Sequence, residues 1–235
     1  KNLIIKKGGK FKFNETVKGF NLKGKKITDI LTNKRNYKIN KDEIIISTLP
    51  ISLTSFFLGK KNNLKFRGIC SVYLLYKKNQ ILPKNHHWLY FDSNRLLFNR
   101  ITENKKLSKF VAPKGKSYLT AEITYSEGDK FSRTDPKNIM KKIKEQISIA
   151  KIAETKDVLG TSINFEPYVY PVQFADYKNE VARVKSYVES FDNLFSLGAG
   201  GEFNYADSQI LFHKSFDLVN SLENRFRSFI NETKN

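Results

Sequence analysis

The stretch Glu43-Ile44-Ile45-Ile46-Ser47-Thr48, closed by Leu49-Pro50, constrains the fold more than any other. A strand with one wet face alternates apolar and polar side chains. A run without alternation has both faces covered, as in the middle of a parallel sheet. Small hydroxyl residues at the carboxyl end of such a strand stand where open α/β sheets bind ligands. A second short apolar run, Leu194-Phe195-Ser196-Leu197, leads straight into Gly198-Ala199-Gly200-Gly201 and then into a helical pattern from about Asp207 to Ile230. Glycines let backbone amides approach a ligand closely, and a following helix adds positive potential. Asp207 suits the helix N-cap but opposes an anion on the helix axis, so a ligand is expected to meet the loop by a neutral group.

Between these two runs the pattern changes. Lys10 to Val17 alternates with period two and predicts a strand, followed by strands at Ile27 to Leu31 and Tyr37 to Ile39. Ser52 to Leu58 reads as a short helix. Phe66 to Tyr76, His87 to Phe91, Arg95 to Ile101, Ser117 to Thr124 and Ser162 to Tyr170 read as strands of an antiparallel sheet, separated by turns such as Pro83-Lys84-Asn85 and Asp92-Ser93-Asn94. Asp135-Pro136 opens a helix with Ile139, Ile143, Ile147 and Ala150 on one face. Tyr177 to Phe191 is a second helix, with Val181, Val184, Val188 and Phe191 aligned, and the last helix turns Leu211, Val219, Leu222, Phe226 and Phe229 inward. The fold class is therefore α+β.

Composition removes several function classes. A single cysteine, Cys70, rules out a disulfide framework or a cysteine zinc site within the chain. No apolar run reaches the length of a membrane span, and the cytoplasm is the expected compartment. The net charge of +19 favours polyanions, but lysine outnumbers arginine about four to one and the basic residues are dispersed in pairs at turns. That pattern reads as a solvated surface, so nucleic acid is not the expected partner. A non-catalytic basic module that binds polyanions is the alternative from a different class.

Few constellations carry chemistry on their own. His86 and His87 are adjacent on a strand and point to opposite faces, so no metal is expected there. Cys70 lies mid-strand and reads as a buried structural thiol. Arg100 stands among Leu97, Phe98 and Ile101, where it needs either an ion-pair partner or an anionic ligand group. Tyr168, Tyr170 and Tyr205 could stack on a flat ligand, and Phe203 and Tyr205 flank Asn204 directly after the glycine loop.

The stretch Asn193 to Tyr205 resembles the C-terminal flavin motif of the amine-oxidase and protoporphyrinogen-oxidase superfamily, nearest the branch that includes UDP-galactopyranose mutase. Other segments resemble that branch in the same order: Gly8-Gly9-Lys10 through Val17, Ile44 to Pro50, His87-Trp88-Leu89-Tyr90-Phe91, Phe98-Asn99-Arg100-Ile101-Thr102, Ala112 to Ser117, and Tyr170-Pro171-Val172. The chain carries no GxGxxG fingerprint, and the mutase branch has arginine where this chain has Ala199.

The resemblance implies a division by role. Residues 1–50 would be the second part of a Rossmann-type FAD-binding domain, 51–192 the substrate domain with its antiparallel sheet and helices, and 193–235 the strand, glycine loop and helix returning to the FAD-binding domain. It implies FAD as cofactor, met by Val17, Gly198, Ala199, Gly200, Gly201 and Phe203. A small, anionic substrate would meet Arg100, Tyr170 and Tyr205 between the sheet and the glycine loop. It also implies a partner, either an N-terminal FAD-binding segment or a separate chain, without which these residues are expected to be inactive. The expected function is the C-terminal portion of a flavin-dependent oxidoreductase. The alternative within the resemblance is a sugar-nucleotide mutase, which consumes no net electrons.

Overall fold

The computed structural model describes residues 1–232, with side chains described as far as residue 223. Phe226 and Phe229, expected on the inner side of the last helix, therefore lie outside the described side chains. In chain order the elements are α1 (Asn2–Lys6), β1 (Val17–Lys23), β2 (Lys26–Thr32), β3 (Asn36–Lys38), β4 (Ile45–Ser47), α2 (Ile51–Phe57), β5 (Phe66–Tyr76), β6 (Trp88–Tyr90), β7 (Arg100–Glu103), β8 (Ser117–Ser126), α3 (Pro136–Ile149), β9 (Val158–Pro171), α4 (Tyr177–Glu189), β10 (Leu194–Ser196), α5 (Gly198–Gly201) and α6 (Ser208–Glu232). The protein is α+β. It forms two compact units, Lys1–Lys65 with the chain from Gln173 onward, and Phe66–Val172. Helices α2 and α4 fall in the first unit, although both lie within the 51–192 stretch that the resemblance assigns to substrate.

In the first unit, β1, β2 and β3 form an antiparallel meander. β4 and β10 form a separate parallel pair, with Ile45 opposite Leu194 and Ser47 opposite Ser196. Asn193 links the two sheets. Its buried amide accepts from the Ile27 N–H at 3.0 Å and donates to the Ile27 carbonyl at 2.9 Å, while its own carbonyl takes the Ile45 N–H at 2.8 Å. α2 starts directly after Pro50, and the Ser47 and Thr54 hydroxyls share a buried bond at 3.2 Å. Ile27, Ile51, Leu58, Val184, Val188, Phe191 and Leu194 are buried in this unit.

Two expectations are corrected here. Residues 10–16 are not a strand, and pairing starts only at Val17. Phe11 and Phe13 do share one side, stacked at 5.7 Å, as period two requires. Asn14 then takes a φ of +56°, and the Thr16 N–H goes to the Asn33 side chain at 2.8 Å rather than to a ladder. The apolar run at 44–48 is not covered on both faces: Ile46 is 43% exposed. Among the described residues β4 has β10 as its one neighbour, and neither outer edge of the pair carries a strand.

The second unit is a five-stranded antiparallel sheet in the order β6-β7-β8-β5-β9. β5 alternates as its sequence predicts. Cys70, Val72, Leu74 and Tyr76 turn into a core shared with Leu119, Ala121 and Ile123 of β8 and with Ile139, Ile143 and Ile147 of α3. Asp135 caps α3 by accepting the Lys137 N–H at 2.7 Å. The strand expected over 95–101 begins only at Arg100. Buried Gln146 of α3 captures the backbone upstream, accepting the Leu97 N–H and donating to the Arg95 carbonyl, both at 2.9 Å. Phe98 is turned into the core against Phe91. With α3 covering one face, the other face of the sheet carries mixed side chains, Ile69, Ser71, Tyr73 and Leu75 on β5.

Candidate functional site

The glycine turn sits where the two parallel strands end. The Leu197 N–H donates to the Ser47 carbonyl at 2.9 Å, so the chain leaves β10 tied to the carboxyl end of β4. Gly198 then takes a φ of +93°, with open space where a side chain would begin. A residue with a Cβ is strained in that conformation, and its absence leaves the backbone open to approach. A Cβ on Gly200 would lie 3.5 Å from Pro50 Cα. A Cβ on Gly201 would lie 3.0 Å from Ser196 Oγ and 3.4 Å from the Ser47 carbonyl oxygen. Ser196 closes the turn by donating its hydroxyl to the Gly201 carbonyl at 2.7 Å.

The turn's internal bonds start with the Glu202 N–H on the Gly198 carbonyl, followed by Asn204 on Ala199 and Phe203 on Gly200. The amides of Gly198, Ala199 and Gly200 come before the first of these donors, as the leading amides of a helical turn do. Phe203 is buried with a φ of +52°, and Tyr205 is 71% exposed. Lys214 pairs with Glu202, the residue that follows Gly201. Val17 stands at the start of β1, opposite Thr32, in the antiparallel meander rather than in the pair that carries the turn.

In the second unit, register lines up the open face of the sheet. Tyr90 lies opposite Arg100, Arg100 opposite Glu122, Glu122 opposite Ser71, and Ser71 opposite Asn164. The next row is Trp88, Thr102, Thr120, Tyr73 and Ser162. Arg100 finds its partner within its row. Its Nε and Nη2 both donate to Glu122 Oε2, the first at 2.9 Å, and its Nη1 donates to the Tyr90 hydroxyl at 3.2 Å. Burial alone would lower the guanidinium's pKa. The bonds to Glu122, and then to Tyr90, outweigh it and hold the pKa above its ordinary value. Tyr170 pairs with Arg67, four residues along β5 from the Arg100 row, so the sheet does not bring Arg100 and Tyr170 together.

The sequence did not reveal Glu122 or Tyr90 as the partners of Arg100. Glu122 carried a signal, since it is a carboxylate on the outward parity of an alternating strand. Its pairing with Arg100, 22 residues away, depends on the register between β7 and β8. Cys70 is buried as expected, and burial pushes its thiol up to about 12. Among the described residues no group of three or more His, Cys, Asp or Glu comes together, and no helix is long and apolar enough to cross a membrane.

Solved structures similar to this chain include two of the same fold. One is a protein assigned as a protoporphyrinogen oxidase from Exiguobacterium sp. 255-15, at 12% identity and a TM-score of 0.61, covering 79% of this chain and 42% of that one. The other is reduced UDP-galactopyranose mutase, at 16% identity and a TM-score of 0.59, covering 74% of this chain and 39% of that one. At these identities the likeness is one of fold. The chain spans about two fifths of the length of each. No family model and no curated protein matches it.

Proposed function

We propose that this chain is the C-terminal portion of a flavin-dependent oxidoreductase of the amine-oxidase and protoporphyrinogen-oxidase superfamily, with FAD as cofactor and a small molecule as substrate. The observation that carries the reading is the parallel β4–β10 pair whose carboxyl ends meet at a glycine turn. Ligands of open α/β sheets lie at that end of the strands. The fold shared with the two solved structures supports the same reading.

The group to be held fits what the turn offers. Gly198, Ala199, Gly200 and Gly201 present backbone without bulky side chains, and Phe203 and Val17 are the further proposed contacts. A flavin bound there would supply an acceptor for two electrons from the substrate. This chain's residues would position that group and exclude water. Arg100 is the proposed contact for an acidic group of the substrate. Glu122 already occupies Nε and Nη2 of Arg100, which leaves the Nη1 side, shared with a Tyr90 that is 69% exposed, for an acidic group.

A parallel sheet of two short strands does not stand alone. The open edges of β4 and β10 are therefore where a further FAD-binding segment, on the same chain or a partner, would add strands. The test is the visible spectrum of the protein expressed from its full natural reading frame. Flavin absorption bands are the expected result. A colourless protein that stays colourless after incubation with FAD overturns the proposal.

A further inference from the structure

The open face of the five-stranded sheet holds a hollow that the flavin reading does not use. It has a volume of about 410 Å³ and is lined by Tyr73 and Leu75 of β5, Tyr118 of β8, Gly160 and Ser162 of β9, and Val111 from the 3₁₀ turn Lys109–Val111. Register explains the grouping. Leu75 lies opposite both Tyr118 and Gly160, and Tyr73 lies opposite Ser162 one row further on. The Tyr73 and Tyr118 rings, 6.3 Å apart and inclined at 59°, form an aromatic wall. Gly160 leaves the floor open, since a Cβ there would meet nothing within 4 Å. Val111, 45% exposed, forms an aliphatic rim.

Three features define what this hollow can take. Its size falls within the roughly 300–1,000 Å³ of small-molecule sites. Its walls are aromatic and aliphatic, which suits a flat ring that packs against tilted aromatic faces. None of the lining side chains is an ammonium, a guanidinium or a carboxylate, although the protein carries a net charge of +19. Charge therefore offers a ligand nothing here, and hydrogen bonding is left to hydroxyls. Burial, and then the neighbouring Tyr73, push the Tyr118 phenol above its ordinary range, so it keeps its proton as a donor. Tyr73, Thr161 and Ser162 supply the other hydroxyls of the lining.

We propose that this hollow is a binding subsite for an uncharged, planar ring compound bearing a hydrogen-bond acceptor. The proposal goes beyond the flavin reading and does not depend on it. The substitution that tests it is Gly160→Leu, which projects into the hollow from a strand position where an added Cβ meets nothing within 4 Å. The probe is coumarin, which is flat, uncharged and carries a carbonyl acceptor, with coumarin carboxylate as the charged control.

Binding to the 235-residue chain is followed by equilibrium dialysis and by saturation-transfer NMR, at low and high salt. Coumarin is expected to bind saturably and equally at both salt concentrations. Gly160→Leu is expected to weaken it by about tenfold or more with an unchanged unfolding midpoint. Tyr73→Leu, which removes one aromatic wall, is the second variant and should weaken binding in the same direction. The carboxylate is expected to bind only to the basic surface, losing affinity as salt rises. Absence of saturable coumarin binding overturns the proposal, as does binding that survives both substitutions or that fades with salt. A colourless protein that binds coumarin through Tyr73 and Gly160 would overturn the flavin reading and leave this one standing.

Discussion

Replacing Glu103 should do more damage than replacing any residue of the Arg100 row. Its carboxylate is fully buried at the end of β7. It accepts the Ile81 N–H at 2.9 Å, the Leu82 N–H at 2.8 Å and the Ser117 hydroxyl at 2.7 Å. Lys106, at 3.7 Å, balances its charge and ties down the same loop through the carbonyls of Leu82, Pro83 and His86. The loop held in this way leads directly into β6, which places Trp88 and Tyr90 on the open face. Glu103→Ala strands two backbone donors, a buried hydroxyl and an ammonium. Each stranded donor costs about 1–3 kcal/mol, and breaking a buried pair from one side costs about 3–5 kcal/mol. These overlap, so the expected loss is about 4 kcal/mol, a large part of the roughly 5–15 kcal/mol that holds a domain folded.

Glu103→Gln keeps one oxygen but turns an amide NH₂ toward a backbone donor, and should lose about 2 kcal/mol. Urea unfolding can be followed by the fluorescence of Trp88, the single tryptophan, with amide exchange at Ile81 and Leu82 as the local readout. A loss below about 0.5 kcal/mol for Glu103→Ala, with protection at Leu82 retained, refutes the reasoning.

The remaining predictions concern the first unit. Glu180 accepts from Arg183 and from the Asn63 N–H, and these bonds hold its carboxyl at about 2, below its usual 4.5. The folded state thus keeps this group charged where the unfolded chain takes up a proton. Its stabilisation is complete above about pH 4.5 and is lost as the pH falls through about 2. The stability gap between the unsubstituted protein and Glu180→Gln should close over that acid range, and a gap independent of pH would contradict the assignment. At the glycine turn, Gly201→Ala forces a Cβ to within 3.0 Å of Ser196 Oγ. It should cost about 1–3 kcal/mol in thermal unfolding. A neutral result would mean that Ser196 can move aside, and that its bond to the Gly201 carbonyl does not fix the turn.

What the sequence determined by itself is local and periodic. Period two on β5 fixed which side chains face α3, because the pleat leaves an alternating strand no other choice. Asp135-Pro136 set the start of α3 through a cap that needs only neighbouring residues. The glycines after Leu197 marked a turn that larger residues would strain. Where neighbours compete for the backbone, the sequence alone was not enough. Residues 95–97 have a strand's composition but bond to Gln146, about fifty positions away, and residues 10–16 alternate like a strand but turn at Asn14 and give the Thr16 N–H to the Asn33 side chain.

Tertiary structure alone decided the partners. Arg100 meets Glu122 and Tyr90 because register between three strands puts them in one row. Asn193 joins β2 to β10 across more than 160 residues. The hollow over Gly160 exists because three strands and a 3₁₀ turn bring its walls together. Periodicity records which face a residue occupies. It holds no record of which distant residue shares that face, because that is settled only when the strands pair.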